Sequence, residues 1–286
     1  METIKLSNGV EMPVLGYGVY QVTPQECERC VADALAVGYR SLDTAQAYYN
    51  EEEVGNAVAR SNVSRNEIFL TTKVWVSNAG EEKAAASIDE SLRKLRTDYI
   101  DLLLIHQPFG DYYGSWRAME KAYKAGKVRA LGISNFLPER YVDFAENCDI
   151  KPAVHQLQTH VFYQQQEMME LMQEYGTKLM AWAPLAEGKN DFFTNRTMQE
   201  IGNRYGKSVA QIALRYLIQR GIIVIPKSTH KNRMEENFNL FDFALNDAEM
   251  ETLAGLDNPE NMFPSHANPQ LVKFILNYEK THKPQK

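Results

Sequence analysis

Hydrophobic residues along this chain gather in short runs separated by longer amphipathic stretches, and the two kinds of segment alternate. The runs occupy residues 14–15, 39–42, 68–72, 100–105, 128–133, 153–157, 178–182 and 222–225, which makes eight candidate strands. Between them, apolar positions at helical spacing predict helices over 24–37, 51–59, 81–95, 115–124, 138–146, 165–175, 197–218 with a break near Gly206, and 231–237. Asn50 stands where the second of these needs an N-cap. Ahead of the series, 4–6 and 10–14 flank Asn8-Gly9, predicting a hairpin with a type I′ turn. Eight β-α units in so short a chain fit a closed (β/α)8 TIM barrel better than an open sheet. The expectation is therefore one domain over 1–286, with the N-terminal hairpin plugging the barrel base. Residues 247–255 and the tail from Pro259 are additions outside the repeat, the tail crossing the active end.

Composition narrows the function classes. The 286 residues are 44% hydrophobic and 24% charged, as in an ordinary globular protein. A formal charge of -6 provides no field for phosphate polymers or anionic lipid, so neither nucleic acid nor membrane is an expected partner. The runs 102–105 and 222–225 are far shorter than the roughly 18 apolar residues of a spanning helix. Met1-Glu2-Thr3-Ile4-Lys5 lacks a basic segment followed by an apolar core, which predicts a cytoplasmic protein. Cys27 and Cys30 form a C-x-x-C, but it falls inside the first predicted helix and no second Cys or His pair accompanies it. Cys148 is isolated, so all three cysteines read as structural and no metal is expected.

In a TIM barrel the chemistry gathers at the C-terminal ends of the strands. Here the runs end in Asp43, Lys73, His106, Ser134 with Asn135, Gln156, Trp182 and Lys227. Any one of these has a structural explanation; polar or aromatic groups at seven consecutive strand ends point to a site. One histidine and one carboxylate disfavour a zinc or two-metal centre. A phenol such as Tyr48, with an ordinary pKa of about 10, needs a cation to serve as an acid near neutrality. Lys73 supplies that cation, Asp43 holds the ammonium, and His106 orients a carbonyl oxygen, so the set reads as proton transfer to a carbonyl.

These residues and their surroundings resemble the aldo-keto reductase family over essentially the whole chain. They resemble its 2,5-diketo-gluconate reductase and prostaglandin F synthase type in particular. The matching segments are Leu15-Gly16-Tyr17-Gly18, Leu42-Asp43-Thr44-Ala45 with Tyr48, Thr71-Thr72-Lys73-Val74-Trp75, and Leu104-Ile105-His106. They continue in Gly132-Ile133-Ser134-Asn135-Phe136, Ala181-Trp182-Ala183-Pro184-Leu185 and Ile225-Pro226-Lys227-Ser228. The resemblance implies a catalytic tetrad of Asp43, Tyr48, Lys73 and His106, with Tyr48 as proton donor and NADPH as cofactor. It places Ser134, Asn135 and Gln156 at the carboxamide and Trp182 on the nicotinamide ring, with Gly18 and Leu185 also on the cofactor. Lys227, Ser228 and Arg233 fall at the adenosine 2′-phosphate, and Glu236 and Asn237 at the ribose and adenine. A dianionic phosphate independently favours a guanidinium and an ammonium.

Tyr20, Tyr49, Trp75, Phe109 and Trp116, with His106, are the expected substrate walls, joined by Met262, Phe263 and His266 of the tail. The chain departs from the family pattern at Gln107, where Trp is frequent, and at Val19, His155 and Gln158-Thr159-His160. Gln107 makes one side of the pocket wetter, which favours α-keto aldehydes and keto sugars over bulky apolar ketones. The expected activity is reduction of small carbonyls by a monomer. A regulatory subunit that binds NADPH with little turnover is the alternative.

Overall fold

In the computed structural model of the chain, residues 2–258, 262–278 and 280 are described; Pro259, the expected start of the tail, lies outside them. The hairpin pairs β1 (Thr3–Lys5) with β2 (Glu11–Pro13). Its turn corrects the expectation: only Gly9 has positive φ, and Gly9 N–H donates to the Leu6 carbonyl. The loop is a type I turn closed by a left-handed glycine, because three loop residues leave no place for a two-residue I′ turn.

Eight parallel strands follow in chain order: β3 (Tyr17–Gly18), β4 (Ser41–Asp43), β5 (Phe69–Val74), β6 (Ile100–Ile105), β7 (Val128–Ser134), β8 (Val154–Gln158), β9 (Lys178–Trp182) and β10 (Ile223–Val224). Leu15 bridges to Val224, and Gly16 N–H donates to the Val224 carbonyl at 2.8 Å, closing the sheet into a barrel. The helices are α1 (Pro24–Val37), α2 (Glu51–Arg60), α3 (Glu81–Leu95), α4 (Tyr112–Lys124), α5 (Pro138–Asn147), α6 (Gln166–Glu174), α7 (Arg196–Tyr205), α8 (Val209–Gln219) and α9 (Lys231–Phe238). The additions are α10 (Asp247–Ala254) and α11 (Pro269–Leu276). Gly206 ends α7 in the left-handed conformation and Ser208 caps α8, so the expected break is a full turn between two helices.

Strand parity decides what faces the lumen. Leu102, Leu104, Ala130, Val154, Met180 and Ile223 pack in one cluster with Leu6 and Met12 of the hairpin, which plugs the base. Their neighbours Leu103, Ile105, Leu131 and Leu179 join the larger cluster shared with the helices. Continued to the strand ends, the inward parity carries Asp43, Lys73, Ser134, Gln156 and Trp182 into the mouth. Asn50 does not cap α2: its amide donates to the Val19 and Val22 carbonyls at 3.1 and 3.2 Å, tying the loop after β3 to the turn that bears Tyr48.

No helix among the described residues is long and apolar enough to cross a membrane. Cys27, Cys30 and Cys148 are buried and unpaired with one another.

Candidate active site

At the mouth, the Lys73 ammonium is fully buried and donates to three oxygens: Asp43 Oδ1 at 2.6 Å, the Thr44 carbonyl at 2.9 Å and Tyr48 Oη at 3.2 Å. Asp43 is held from its other side by Gln156 Nε2, 3.0 Å from Oδ2. Tyr48 ends a 3-10 turn at Gln46–Tyr48, and Tyr49 after it turns left-handed at φ 56°, so the phenol ring points back over the barrel. Because Lys73 donates to the phenol oxygen, the Tyr48 proton is left for another acceptor; no second bond of this hydroxyl occurs among the described residues. Burial, then the Asp43 charge, pushes the phenol well above its ordinary pKa, so Tyr48 stays protonated. Burial lowers the Lys73 pKa, with Asp43 acting against it.

His106 sits edge-on to Tyr48 and Trp75, at ring centroid distances of 5.5 and 4.9 Å. Burial first, then Lys73 and His266, hold its pKa well below the usual range, so the imidazole is neutral. Its buried Nδ1 has no hydrogen-bond partner among the described residues. A second network runs beside it: Asn135 Nδ2 donates to the His106 carbonyl at 3.1 Å and to Ser134 Oγ at 3.0 Å. The Trp182 indole donates to Asn135 Oδ1 at 2.9 Å, fixing the ring at the end of β9.

Two clefts meet here. One, of about 550 Å³, opens over Asp43, Tyr48 and His106 and runs past Gly18, Ser134, Asn135, Gln156 and Trp182. The other, of about 570 Å³, is lined by Lys227, Ser228, Arg233, Glu236 and Asn237. They share Leu185, Phe193 and Lys227 and so form one groove. Neither Lys227 nor Arg233 has an ion-pair partner among the described residues, and both cations face the groove; the donor set suits a phosphate ester. Every candidate catalytic and cofactor residue thus lies on this groove except Lys73, which is buried beneath it.

The substrate walls divide. Tyr20 and Trp75 line the cleft, with Phe263 and His266 of the tail. Phe109 stands behind the wall, its ring stacked on His266 at 6.2 Å. Phe109, Tyr49 and Trp116 are corrections, since none of them lines the cleft. Tyr49 follows Tyr48 in a left-handed conformation, and Trp116 is buried in the helical layer, its indole donating to the Ile150 carbonyl at 3.2 Å. Missed from the sequence were Leu271, Phe274, Ile275 and Tyr278, which α11 and the two residues beyond it bring over the mouth, and Phe193 between the clefts. The apolar residues at 271–272 and 274–276 carried the first of these signals; Phe193 carried none. Among the described residues no cluster of three or more His, Cys, Asp or Glu is placed to hold a metal ion.

The family model for the Aldo/keto reductase family matches residues 12–258. Glyoxal reductase of Bacillus subtilis is 41% identical over 266 residues, covering 92% of this chain and 96% of the relative. An aldo-keto reductase from a deep-sea metagenome superposes with a TM-score of 0.91 at 40% identity, over 93% of this chain and 98% of that one. A Bombyx mori aldo-keto reductase, solved in complex with NADP, gives 0.86 at 31% identity, over 98% and 97% of the two chains. Barrel, buried Asp-Lys-Tyr set and family match agree: the chain belongs to the aldo/keto reductase family.

Proposed function

We propose that this domain reduces small uncharged aldehydes and ketones, α-keto aldehydes and keto sugars among them, to alcohols with NADPH. The observation that carries the reading is the Tyr48 hydroxyl, whose oxygen takes a hydrogen bond from the Asp43-held Lys73 ammonium while its own proton stays uncommitted at the cleft. Lys227, Ser228 and Arg233 would hold the 2′-phosphate of NADPH and Trp182 its nicotinamide ring, with Ser134, Asn135 and Gln156 at the carboxamide. When bound there, NADPH supplies the hydride that adds to the carbonyl carbon.

The chain's own groups manage the proton. Tyr48 stays protonated until a carbonyl oxygen gains negative charge, and then donates. The phenolate left behind lies 3.2 Å from the Lys73 ammonium, which stabilises it in a site where water screens little. Neutral His106 adds a hydrogen bond to the same oxygen without placing a second cation beside Lys73. Trp75, Ile275 and Phe274 make the far wall apolar, and Gln107 and His266 add neutral polar atoms. Lys227 is the only Lys or Arg among the residues lining the cleft over the tetrad, and it sits toward the phosphate end, which favours uncharged substrates. The Bacillus relative's name, glyoxal reductase, supports the same substrate class.

Loss of absorbance at 340 nm when NADPH meets a panel of methylglyoxal, phenylglyoxal, a keto sugar, 4-carboxybenzaldehyde and a bulky ketone tests the reading. Turnover should be fastest for the glyoxals. NADPH binding with no turnover on any carbonyl would contradict it.

A further inference from the structure

A buried carboxylate that this chemistry does not use lies directly behind the tetrad. Glu51 opens α2 three residues after Tyr48, and only 2% of its surface is exposed. Thr72, which faces the helical layer while its neighbour Lys73 faces the lumen, donates to Glu51 Oε1 at 2.7 Å. Burial raises the Glu51 pKa, and the Thr72 and Ser91 hydroxyls act against that rise; the Ser91 hydroxyl itself accepts from Gln46 Nε2 at 3.2 Å. Gln46 Oε1 in turn accepts the Trp75 backbone N–H at 2.9 Å. Gln46 and Glu51, on either side of Tyr48, are thereby tied directly to Trp75 and Thr72, on either side of Lys73, and Gln46 also to Ser91 of α3. The approach of α2 to α3 that permits this is close enough at Gly55 that a Cβ would collide with the Lys94 carbonyl.

We propose that Glu51 is a positioning residue for the Tyr48–Lys73 pair: it locks the Tyr48 turn to β5 and sets a negative charge behind the Lys73 ammonium. The inference rests on the reading of Tyr48 as proton donor. Desolvating a carboxylate is costly and burial raises the Glu51 pKa, while a neutral amide would accept from the Thr72 hydroxyl equally well, so packing alone gives no reason for a carboxylate here. The charged groups facing Glu51 are Lys94, 4.0 Å from Oε2, and Glu90, both on α3. Those acting on Lys73 are Asp43 and, after it, Glu51, both opposing the effect of burial. Asp43, Tyr20 and Tyr278 act on Tyr48.

Glu51→Gln, Glu51→Asp and Ser91→Ala test the proposal in the full chain. Glu51→Gln should bind NADPH as wild type does, lose about tenfold in kcat, and show the basic limb of kcat moved about half a unit to lower pH; Glu51→Asp should restore the limb. Ser91→Ala keeps the charge but cuts the tie, so kcat should fall several-fold with the limb in place. NMR titration of ¹⁵Nζ-labelled lysines, with the Lys73 signal assigned from Lys73→Met, follows the ammonium without turnover and should show a lower midpoint in Glu51→Gln. Wild-type positions for both the limb and the Lys73 titration in Glu51→Gln overturn the proposal. If Glu51→Gln does not fold, an unchanged kcat in Ser91→Ala overturns the positioning role. If wild type itself reduces no carbonyl, the reductase reading falls, and the Lys73 titration alone decides the role of Glu51.

Discussion

Two clusters of cations around a buried carboxylate sit at opposite ends of the same barrel. At the base, Asp101 accepts from Arg65 and the Leu70 amide through Oδ2, at 2.8 and 2.9 Å, and from Arg129 through Oδ1 at 2.6 Å. Arg65 places three further donors on Thr97, the Ile68 carbonyl and the Tyr99 carbonyl, and stacks over the Tyr99 ring at 4.1 Å. At the mouth, Asp43 and Lys73 satisfy each other in the same way, yet the cluster ends in an uncommitted group, the Tyr48 proton. One chemistry thus serves two purposes. A closed network fastens strands; one that ends in unspent hydrogen-bonding capacity beside a cleft is equipped to act on a ligand.

The sharpest way to break this contrast is to remove a cation from each end. Lys73→Met should lower kcat by about 10² to 10⁴, because the phenolate loses its stabilising charge. Arg129→Met should leave kcat per folded molecule near wild type; equal rate losses at both ends would erase the distinction. Asp101→Ala isolates the structural end, where two guanidiniums lose their partner. Arg129 is half-exposed, so a discounted cost of about 3 kcal/mol is expected in urea unfolding, with catalysis preserved. Arg233→Ala asks whether the phosphate end of the groove reads charge. One charge-assisted contact of about 1.5 to 3 kcal/mol corresponds to roughly ten- to a hundredfold weaker NADPH binding, with NADH affinity unchanged. Equal losses for the two cofactors would remove Arg233 from the 2′-phosphate.

Buried histidines give a smaller effect with a defined sign. Burial pushes His155 down to about 3 and His160 to about 4, against about 6.5 when unfolded. Below about pH 6.5 the unfolded chain therefore binds protons that the folded chain refuses. Stability should be complete above that pH and fall on acidification toward pH 4, by up to about 1.4 kcal/mol per pH unit for each histidine. Urea midpoints across this range check the slope, and His155→Gln should flatten it by one proton. Smallest of all, Trp116→Phe should cost about 1 kcal/mol through the lost bond to Ile150 and leave the ranking of substrates unchanged.

How much of this was legible in the sequence followed from periodicity. Asp43, Lys73, Ser134, Gln156 and Trp182 stand at the polar ends of apolar runs on the inward parity, so a strand pattern alone brought them together. Trp116 shows where that stops. Its indole sits in a helix whose apolar face is continuous with the core, and an aromatic residue carries no mark that separates wall from core. Asn50 was misread because a capping residue and a loop anchor use the same side chain, and only tertiary distance decides between them. Leu271, Phe274 and Ile275 belong to a short helix outside the repeat, whose docking over the mouth no local pattern states.

The central claim is that Tyr48 donates the proton from a site held by Lys73, and Tyr48→Phe tests it most directly because the ring stays and only the hydroxyl goes. NADPH affinity from fluorescence titration and single-turnover oxidation at 340 nm with methylglyoxal should be measured on the same sample. Wild-type affinity with the rate reduced by about 10² to 10⁴ is expected; a variant that binds NADPH and still turns over at a rate close to wild type would remove Tyr48 as the proton donor.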